Sequence, residues 1–283
     1  MHREYARAAT LIRTVVKIVI LFHILAGISC EKLNFWQRID DGLFLGEFKI
    51  NAPLPFNEAI MTILKVDPTV HQFHLLTISE HGHEPLTLPE WCERYHLIGA
   101  INAGMYQEDY KSNVGFMKNY THMNNSHVNS SHHSLAAFNP VDASDTPFFI
   151  FDIDEYAADS VIHRYHSIVQ NLRLIKSPGE NRWSESTKRW CEAALGQDKD
   201  GNALFIYCRT PMNMIDFIDT LLQLPIDIVA AMHVEGGLPA ALHFSYHGVT
   251  KSFSGTAETR FDAEGHAVNA TRLPNVIGFS RKN

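Results

Sequence analysis

Short apolar runs separated by turn-forming residues limit most strongly what this chain can fold into. They recur at residues 42–50, 59–67, 71–79, 147–153, 167–175, 191–196 and 203–209. Runs of about 4–8 apolar-rich residues bounded by Gly, Pro, Asn and Asp are typical of β-strands. The pattern therefore predicts a chain built mainly from strands that are joined by short turns.

Two segments carry the signals of helices instead. Thr87 can cap a helix over residues 91–96, and Glu90 completes a capping box three residues after it. A second helix is predicted to open with Pro211 at its first position, because apolar residues follow at helical spacing over residues 214–222. We expect the apolar stripe of this second helix to pack in the core.

A hairpin is predicted at residues 197–201, where the sequence QDKDG is typical of a tight turn. Cys191 and Cys208 lie on its two arms and stand opposite each other if the turn is centred on residues 199–200. In an oxidising compartment they would then form a cross-strand disulfide. A register shift of one residue would turn the two side chains to opposite faces and leave two buried thiols. The sequence leaves both alternatives open.

Composition supports one folded domain beyond the N-terminus. Hydrophobic residues make up 45% and charged residues 19% of the 283 residues, which is typical of a protein with a packed core. No repeat of fixed period and no Gly/Ser linker divides residues 31–283, so we predict a single α+β domain built on a mixed β-sheet with a few packed helices. The formal net charge of −7 provides no basic surface, so no nucleic-acid partner is expected.

The first 30 residues have the pattern of an export signal. Four basic residues precede an apolar run that ends at Cys30. A basic region, a short apolar region and small residues are typical of a signal peptide, and an uncleaved membrane anchor remains a second reading. Residues 1–30 are therefore interpreted as a signal peptide, a membrane anchor or a lipoprotein signal. We expect an extracytoplasmic protein (periplasmic, in the cell envelope or secreted), with membrane attachment through the N-terminus in the anchored forms.

Residues 118–134 change character, since Asn, Ser and His dominate and the apolar periodicity disappears. This composition predicts a flexible loop inside the domain. His122, His127, His132 and His133 lie in it, but no rigid spacing and no neighbouring carboxylate or cysteine supports a metal site. We therefore predict neither a metal site nor a cofactor.

Seven segments of the chain, in order, resemble the phosphodiester glycosidase family. They are residues 100–106 (AINAGMY), 113–116 (NVGF), 137–140 (AFNP), 170–175 (QNLRLI), 193–196 (AALG), 233–237 (HVEGG) and 275–278 (NVIG). The resemblance extends from about residue 45 to the end of the chain. It implies a hydrolase that cleaves the glycosidic bond of a sugar-1-phosphodiester, so the expected partner is a sugar phosphate or a phosphodiester-linked glycan.

The most specific family signature is changed in this chain. Glu235 stands where the family has Asp, Leu238 and Pro239 replace a third Gly and a Ser, and Glu192 stands in place of a family Arg. These changes keep open a second class of function, a non-catalytic glycan- or phosphate-binding envelope protein that retains the fold. Turnover of a sugar phosphate distinguishes the two classes, because the second would bind without hydrolysis.

Glu235 is the first candidate catalytic residue. It ends a buried apolar run and is followed by Gly236 and Gly237, whose backbone N–H groups are expected to stay open to a sugar or phosphate group. A carboxylate at this point would act as a general base or as a nucleophile toward an oxocarbenium-like centre. The alternative is a carboxylate that only caps its own turn.

Three residues near the first family segment complete this side of the predicted site. Asn102 leaves a buried strand, where its amide would contact sugar hydroxyls as a second catalytic residue or would pin the turn through its own backbone. Gly104 is expected to bind substrate beside it. Tyr106 is expected to line the pocket or to pack against the loop.

Arg173 is the predicted contact for an anion. It lies among apolar neighbours in the sequence, and a buried guanidinium needs a negatively charged partner. That partner is either a ligand phosphate or a carboxylate of the protein, with Glu192 and Glu235 as the candidates.

Overall fold

Three antiparallel β-sheets and a few short helices form the part of the chain that can be described. The computed structural model describes residues 35–51, 59–184, 187–255 and 271–282. Within these ranges every strand pairing is antiparallel. Since no described strand has a parallel neighbour, the predicted mixed sheet is wrong for the described part of the chain. The mostly-β character with few helices agrees with the predicted class.

Sheet I is the largest of the three. Its eight strands lie in the order β1 (Trp36–Asp40), β2 (Leu43–Ile50), β3 (Ala59–Val66), β14 (Ala203–Met212), β13 (Trp190–Asp198), β15 (Ile228–Gly236), β11 (Arg173–Lys176) and β12 (Glu180–Asn181). The predicted hairpin is confirmed, since β13 and β14 pair across the turn with Gln197 opposite Ala203. β13 therefore lies between β14 and β15 in the interior of the sheet.

Sheets II and III contain five strands each. Sheet II has the order β7 (His122–Asn125), β6 (Met117–Asn119), β10 (Tyr165–Asn171), β8 (Ser134–Pro140) and β9 (Phe148–Asp152). Sheet III has the order β17 (Val249–Ser254), β16 (Ala241–Tyr246), β5 (Gly99–Asn102), β18 (Asn275–Arg281) and β4 (His71–Thr77).

Among the described residues there are four helices, α1 (Ile78–His81), α2 (Leu88–Tyr95), α3 (Ala158–Ile162) and α4 (Met214–Gln223). The predicted capping box at the start of α2 is confirmed. The Glu90 N–H donates to Thr87 Oγ1 (3.4 Å), and the Thr87 N–H donates to Glu90 Oε2 (2.8 Å). Each hydrogen bond satisfies an N–H group that the first turn of a helix would leave unpaired.

Helix α4 begins later than the sequence predicts. Asn213 is its N-cap, and its side-chain oxygen accepts from the Asp216 N–H (2.9 Å). Pro211 belongs to β14, at a place where the register with β13 jumps between Cys208 and Met212. A residue without an N–H group is tolerated there because the ladder is interrupted, so the prediction of Pro211 at the first helical position is wrong.

The inner faces of the three sheets enclose one central apolar core. Phenylalanine rings from each sheet meet there: Phe73 lies 5.9 Å from Phe138 and 6.0 Å from Phe205, and Phe205 lies 5.3 Å from Phe279. Burying large aromatic rings in this way supplies much of the apolar area that stabilises a fold of this size.

Helices cover the outer faces of the sheets. Phe217 and Leu221 of α4 pack on sheet I, Trp91 of α2 packs on sheet III, and Val161 of α3 packs on sheet II. The outer face of sheet I thereby becomes a second apolar layer, and the apolar stripe of α4 is core, as predicted.

Residues 118–134 are not one continuous loop. They contain most of the β6–β7 hairpin, and the backbone of Asn129 and His132 bonds to the buried amide of Gln170. No strand pattern is visible in the sequence because this hairpin is held by backbone pairing and by polar contacts, such as Asn119 to Glu80 and to Ser167, instead of by alternating apolar residues. The interpretation of the segment as a loop alone is therefore wrong.

The N-terminal leader predicted at residues 1–30 lies outside the described residues. The described residues from Phe35 onward form one compact unit, in agreement with a single domain. Within the described ranges, no helix is long and apolar enough to cross a bilayer.

Candidate active site

A cavity of about 350 Å³ opens beside β13 and β15 on the outer face of sheet I. Met105, Leu172, Trp183 and Trp190 form its apolar wall. His233 and Glu235, followed by the two glycines after Glu235, supply its polar lining. An apolar pocket with a few converging polar groups is the usual form of a small-molecule site.

Two neighbouring strands bring Glu192 and His233 to the same face of sheet I. His233 pairs with Ala194 of β13, which packs under α4, so both residues lie on that face. Glu192 lies two residues before Ala194 on β13 and therefore shares its face. Glu235, near the end of β15, lines the same cavity.

A β-bulge adjusts the register at this point. Ala193 pairs with Glu235, whereas the next residue, Ala194, pairs with His233, so Val234 is an extra residue on β15. A bulge re-aims the side chains beside it and is frequent next to active sites.

Glu192 and His233 form a buried hydrogen-bonded pair. His233 Nδ1 lies 2.5 Å from Glu192 Oε1, and the Trp190 indole N–H donates to Glu192 Oε2 (2.7 Å). Glu192 is 1% exposed and His233 is 4% exposed. Both oxygens of a buried carboxylate thus have a donor, which offsets the cost of removing it from water.

The two partners change each other's protonation. Burial raises the pKa of the Glu192 carboxyl, while His233 and Trp190 act in the opposite direction. Burial acts to lower the pKa of His233, but the carboxylates of Glu192 and Glu235 outweigh it and hold that pKa above its ordinary value. The imidazole is therefore biased toward its positively charged form.

Glu235 lies at the cavity wall and is 8% exposed. Burial raises the pKa of its carboxyl group, the His233 imidazole lowers it, and Glu192 adds a smaller increase. Its Oε1 also accepts a hydrogen bond from the Gly236 N–H (3.0 Å). A carboxyl group with a raised pKa beside a protonatable imidazole has the electrostatics of an acid–base site.

Tyr106 is half-buried near the same carboxylate. Burial raises the pKa of its phenol, and the charge of Glu235 adds to that increase. Its ring contacts that of Tyr110, with ring centres 5.5 Å apart. Tyr106 therefore lies close enough to Glu235 for the charge of that carboxylate to act on its phenol, although the residues that line the cavity do not include it.

The two glycines after Glu235 do not offer an open anion cradle. The Gly236 N–H donates to Glu235, and the Gly237 N–H donates to the Cys191 carbonyl oxygen (2.9 Å). Gly236 is required for another reason, because a Cβ atom there would lie 2.4 Å from Trp190 Cδ1. Gly237 has a left-handed backbone (φ +71°) that ends β15. The predicted role of their N–H groups is therefore wrong.

Asn102 and Gly104 hold structure in place near the site. The Asn102 amide donates to the Pro239 carbonyl oxygen (2.9 Å), and its side-chain oxygen accepts from the Ala241 N–H (2.8 Å). A Cβ atom at Gly104 would lie 2.5 Å from Asn113 Oδ1, so this position needs glycine for packing. Both polar groups of the Asn102 side chain thus bond to the segment after β15 and not to the backbone of its own turn, and Gly104 packs against the Asn113 side chain.

Arg173 has a carboxylate partner inside the protein. Its Nη1 lies 2.7 Å from Asp152 Oδ2 and 2.6 Å from Asp154 Oδ2. The structure therefore shows the ion pair with protein carboxylates, and these two partners disfavour a phosphate contact at the same guanidinium. The predicted partners Glu192 and Glu235 are wrong, since both lie beside His233.

The predicted disulfide between Cys191 and Cys208 is wrong. The hairpin pairs regularly about Asp200 and places Glu192 opposite Cys208, one residue away from the register that a disulfide needs, and Cys191 and Cys208 pack in different apolar layers. The Cys191 thiol contacts the Gly237 carbonyl oxygen (3.0 Å), and the Cys208 thiol lies 3.6 Å from the Thr210 carbonyl oxygen. Burial raises the pKa of Cys208 to about 12, which makes it an inert buried thiol.

Sequence reasoning assigned no role to the Glu192–His233 pair or to the two tryptophans of the wall. One signal was present on β13, where Trp190 and Glu192 are two residues apart and can therefore reach one pocket. The same spacing of His233 and Glu235 is interrupted by the bulge at Val234, so alternation alone does not predict their common cavity. The arrangement supplies a carboxylate, an imidazole and an apolar surface for a ring.

A second cavity, of about 360 Å³, lies at the other end of β13, around the turn at residues 197–201. Asp198 lines it, but the carboxylate of Asp198 accepts from the Asp200 and Asn202 N–H groups inside the turn. These bonds shape the turn itself, so this cavity offers less chemistry than the one beside Glu235.

Comparisons with known proteins identify the relatives of this chain. A sequence profile described as phosphodiester glycosidase matches residues 95–280. The chain is similar to the catalytic domain of zebrafish N-acetylglucosamine-1-phosphodiester alpha-N-acetylglucosaminidase, described as auto-inhibited by its pro-peptide, with a TM-score of 0.63 and 12% identity over 87% of this chain and 86% of that one. It is also similar to a hypothetical protein from Synechocystis, with a TM-score of 0.60 and 12% identity over 86% of this chain and 62% of that one. No curated protein sequence matches it. At this identity the two structures show the fold alone.

Proposed function

We propose, from the premise that the chain belongs to the phosphodiester glycosidase family, that it hydrolyses the glycosidic bond of a sugar-1-phosphodiester. The observation that carries the proposal is the position of Glu235, a buried carboxyl group at the wall of the cavity with His233 beside it. The products would be a free sugar and a phosphomonoester.

Glu235 would act as a general base or as a nucleophile. Cleavage of a glycosidic bond passes through an oxocarbenium-like centre, which a carboxylate can stabilise, intercept or supply with an activated water. A raised pKa brings the carboxyl group closer to neutral pH, where a general acid–base is most effective.

The apolar wall supports a sugar ring as the bound group. Trp183 and Trp190 present indole surfaces to the cavity, and Met105 and Leu172 add aliphatic surface. Such surfaces pack against the C–H faces of a ring, while Glu235 is available for hydroxyl groups. N-acetylglucosamine-1-phosphodiester, the compound that names the zebrafish relative, is the first substrate to test.

A non-catalytic sugar- or phosphate-binding protein is the second candidate, and one contact favours it. Glu235 Oε1 accepts from the Gly236 N–H, as a carboxylate that only caps its own turn would do. In that case the protein would bind sugar phosphates and leave them intact.

We also propose that residues 1–30 direct the chain out of the cytoplasm. The support is the basic, apolar and small-residue order of that segment. Fractionation of the native host, followed by mass spectrometry of the N-terminus, would find a shortened or membrane-held chain. A full-length chain in the soluble cytoplasm would contradict export.

Turnover of a substrate panel tests the enzymatic proposal. Wild type, Glu235→Gln and Glu93→Gln would be incubated with sugar-1-phosphodiesters, and the released sugar measured. Glu235→Gln keeps the side-chain volume and loses the charge and basicity, so we expect no turnover with an unchanged fold; Glu93 is exposed on α2 and its variant serves as the matched control. Full turnover by Glu235→Gln would make Glu235 a turn cap, and binding without turnover by wild type would favour the second candidate.

A further inference from the structure

The proposed role of Glu235 assigns no function to the buried Glu192–His233 pair. A carboxylate that is 1% exposed is costly to bury, and removing one partner of such a pair leaves the other as an uncompensated buried charge. Replacing both partners by apolar residues is often neutral, so a fold has no need of the pair for stability alone. A pair of this kind at the wall of a cavity is a candidate for chemistry.

Hydrogen bonding fixes which nitrogen of His233 can meet a substrate. Nδ1 lies 2.5 Å from Glu192 Oε1, an acceptor when ionised, so Nδ1 carries a proton. Since His233 lines the cavity and Nδ1 is engaged, Nε2 is the nitrogen that remains for a ligand. Trp190 holds the other oxygen of Glu192 at 2.7 Å and keeps the carboxylate in line with the imidazole.

Titratable groups from three elements face His233. Glu192 comes from β13, Glu235 from the same strand as His233, and His132 from the segment before β8. Burial lowers the pKa of His132, and the charge of His233 lowers it further, so His132 tends to the neutral form. The positive charge of this cluster is therefore concentrated on His233.

An imidazolium matches the charge that appears when the bond breaks. The phosphodiester carries one negative charge, and the phosphomonoester that leaves acquires a second one, whose protonation has a pKa of about 6. That value is close to the ordinary pKa of imidazole, about 6.5, and farther from that of a carboxylic acid, about 4.3. A donor placed where charge develops stabilises the transition state more than the bound substrate.

We infer that His233 is a catalytic residue that donates a proton from Nε2 to the departing phosphate oxygen, and that Glu192 is the residue that positions it. This role rests on the proposed function. Water forms the new bond to the anomeric carbon as the bond from that carbon to the phosphate oxygen breaks. The electron pair of the broken bond stays on the phosphate oxygen, which takes the proton of His233 Nε2. Glu235 takes the proton of the attacking water, and return of a proton from Glu235 to His233 through solvent restores the starting state.

The first test compares the pH dependence of kcat for wild type and Glu192→Gln on a hydrolysed sugar-1-phosphodiester. If His233 must be protonated, the alkaline limb of the profile reports its pKa in the complex. Removing the negative charge of Glu192 lowers that pKa, so the limb of Glu192→Gln should move to lower pH. A purely structural role would lower the rate at every pH and leave the limb in place. Glu93→Gln, on the exposed side of α2, should keep the wild-type limb.

The second test uses His233→Ala, with thermal unfolding as a check on the fold. We expect its kcat to fall about 10²–10⁴-fold, the usual contribution of a general acid. Added imidazole should restore turnover to His233→Ala in proportion to its protonated fraction and should leave Glu235→Gln inactive. If Glu192→Gln does not fold, this second test alone decides whether His233 is the proton donor.

The outcomes separate the two levels of the proposal. If the alkaline limb of folded Glu192→Gln stays at the wild-type pH, or if imidazole does not rescue folded His233→Ala, the role of His233 is overturned. Wild-type turnover would still support the proposed function in either case. Absence of wild-type turnover on every phosphodiester removes the proposed function, and the role of His233 with it.

Discussion

At Glu235, burial and the neighbouring imidazole of His233 act on one carboxyl group in opposite directions. Burial raises its pKa and the imidazole lowers it, and burial has the larger effect. An exposed turn cap would show no such opposition, because solvent screens both influences. The chemistry of the residue therefore depends on where the carboxylate stands relative to His233, and its side-chain length should matter.

Glu235→Asp tests that dependence. The shorter side chain would withdraw the carboxylate by about 1 Å, and a displacement of that size can cost about 10²-fold in rate. We therefore expect kcat on a sugar-1-phosphodiester to fall about 10²-fold, although Asp is the residue typical of the family, with thermal unfolding unchanged. Wild-type kcat in Glu235→Asp would show that the carboxylate position is not critical.

The sequence was informative about single residues and uninformative about their partners. Glu235 could be selected because it ends an apolar run before two glycines, and Arg173 could be expected to need an anion. Glu192 and His233 are 41 residues apart, and their contact depends on a strand pairing with a bulge at Val234. Local sequence patterns do not encode that register.

Among the elements, β10 links sheet II to the segment that precedes β8. Gln170 of this strand is fully buried, and its amide donates to the carbonyl oxygens of Asn129 (2.8 Å) and His132 (2.7 Å). Its side-chain oxygen accepts from the N–H groups of Phe116 (3.0 Å) and Asn129 (2.9 Å). One side chain thereby satisfies four backbone groups, which is why a polar segment can be ordered here.

Gln170→Ala should be strongly destabilising. It removes the partners of four backbone groups, and unsatisfied buried groups cost about 1–3 kcal/mol each before water relieves some of them. We expect the free energy of unfolding, measured by urea denaturation, to fall by about 3–4 kcal/mol. Gln37→Ala, on the exposed side of β1, should change it by less than about 0.5 kcal/mol. Equal effects in the two variants would contradict the bridging role of Gln170.

Elements with a local signal were predictable and the others were not. The capping box of Thr87 and Glu90 lies within four residues, and the structure confirms it. The start of α4 was misplaced because both Pro211 and Asn213 are acceptable near a helix start, and the interrupted ladder of β14 decided between them. The β6–β7 hairpin was missed because its stabilising contacts come from distant residues such as Gln170.

On the scale of the whole molecule, three sheets around one core leave cavities at both ends of β13. Each of the seven apolar runs contains a strand, but the described residues hold eighteen strands, so the runs predicted fewer than half of them. The division into three sheets was not predictable, because it depends on long-range pairs such as Val66 with Ala203. Such pairings determine which strand ends meet, and so they determine where the chemistry lies.

The buried pair should also affect the stability of the whole domain. The pKa values of both Glu192 and His233 are raised in the folded state, so the folded protein binds more protons than the unfolded one as pH rises above their ordinary values of 4.5 and 6.5. Linkage then requires the contribution of the pair to stability to be present at low pH and to be lost as pH rises through the raised pKa of His233.

A neutral replacement of the pair isolates this contribution. Urea denaturation of wild type and of the double variant Glu192→Gln/His233→Gln would be followed from about pH 6 to about pH 9, across the ordinary titration range of histidine. We expect the wild type to lose more stability than the double variant over this range. Buried histidines with lowered pKa values that do not depend on His233, such as His71 and His243, contribute the opposite slope in both proteins and cancel in the difference. Parallel pH profiles would contradict the raised pKa values of the pair.

Identifying which bond breaks tests most directly whether the protein is a glycosidase. Hydrolysis of a sugar-1-phosphodiester in H₂¹⁸O, with mass spectrometry of the phosphomonoester, distinguishes attack on carbon from attack on phosphorus. The phosphate product is the one to measure, because the anomeric hydroxyl of a free sugar exchanges with water. A glycosidase that uses Glu235 leaves the bridging oxygen on phosphate, so we expect a phosphomonoester without ¹⁸O and none formed by Glu235→Gln. A phosphomonoester that carries ¹⁸O, or no hydrolysis by wild type, would contradict the assignment.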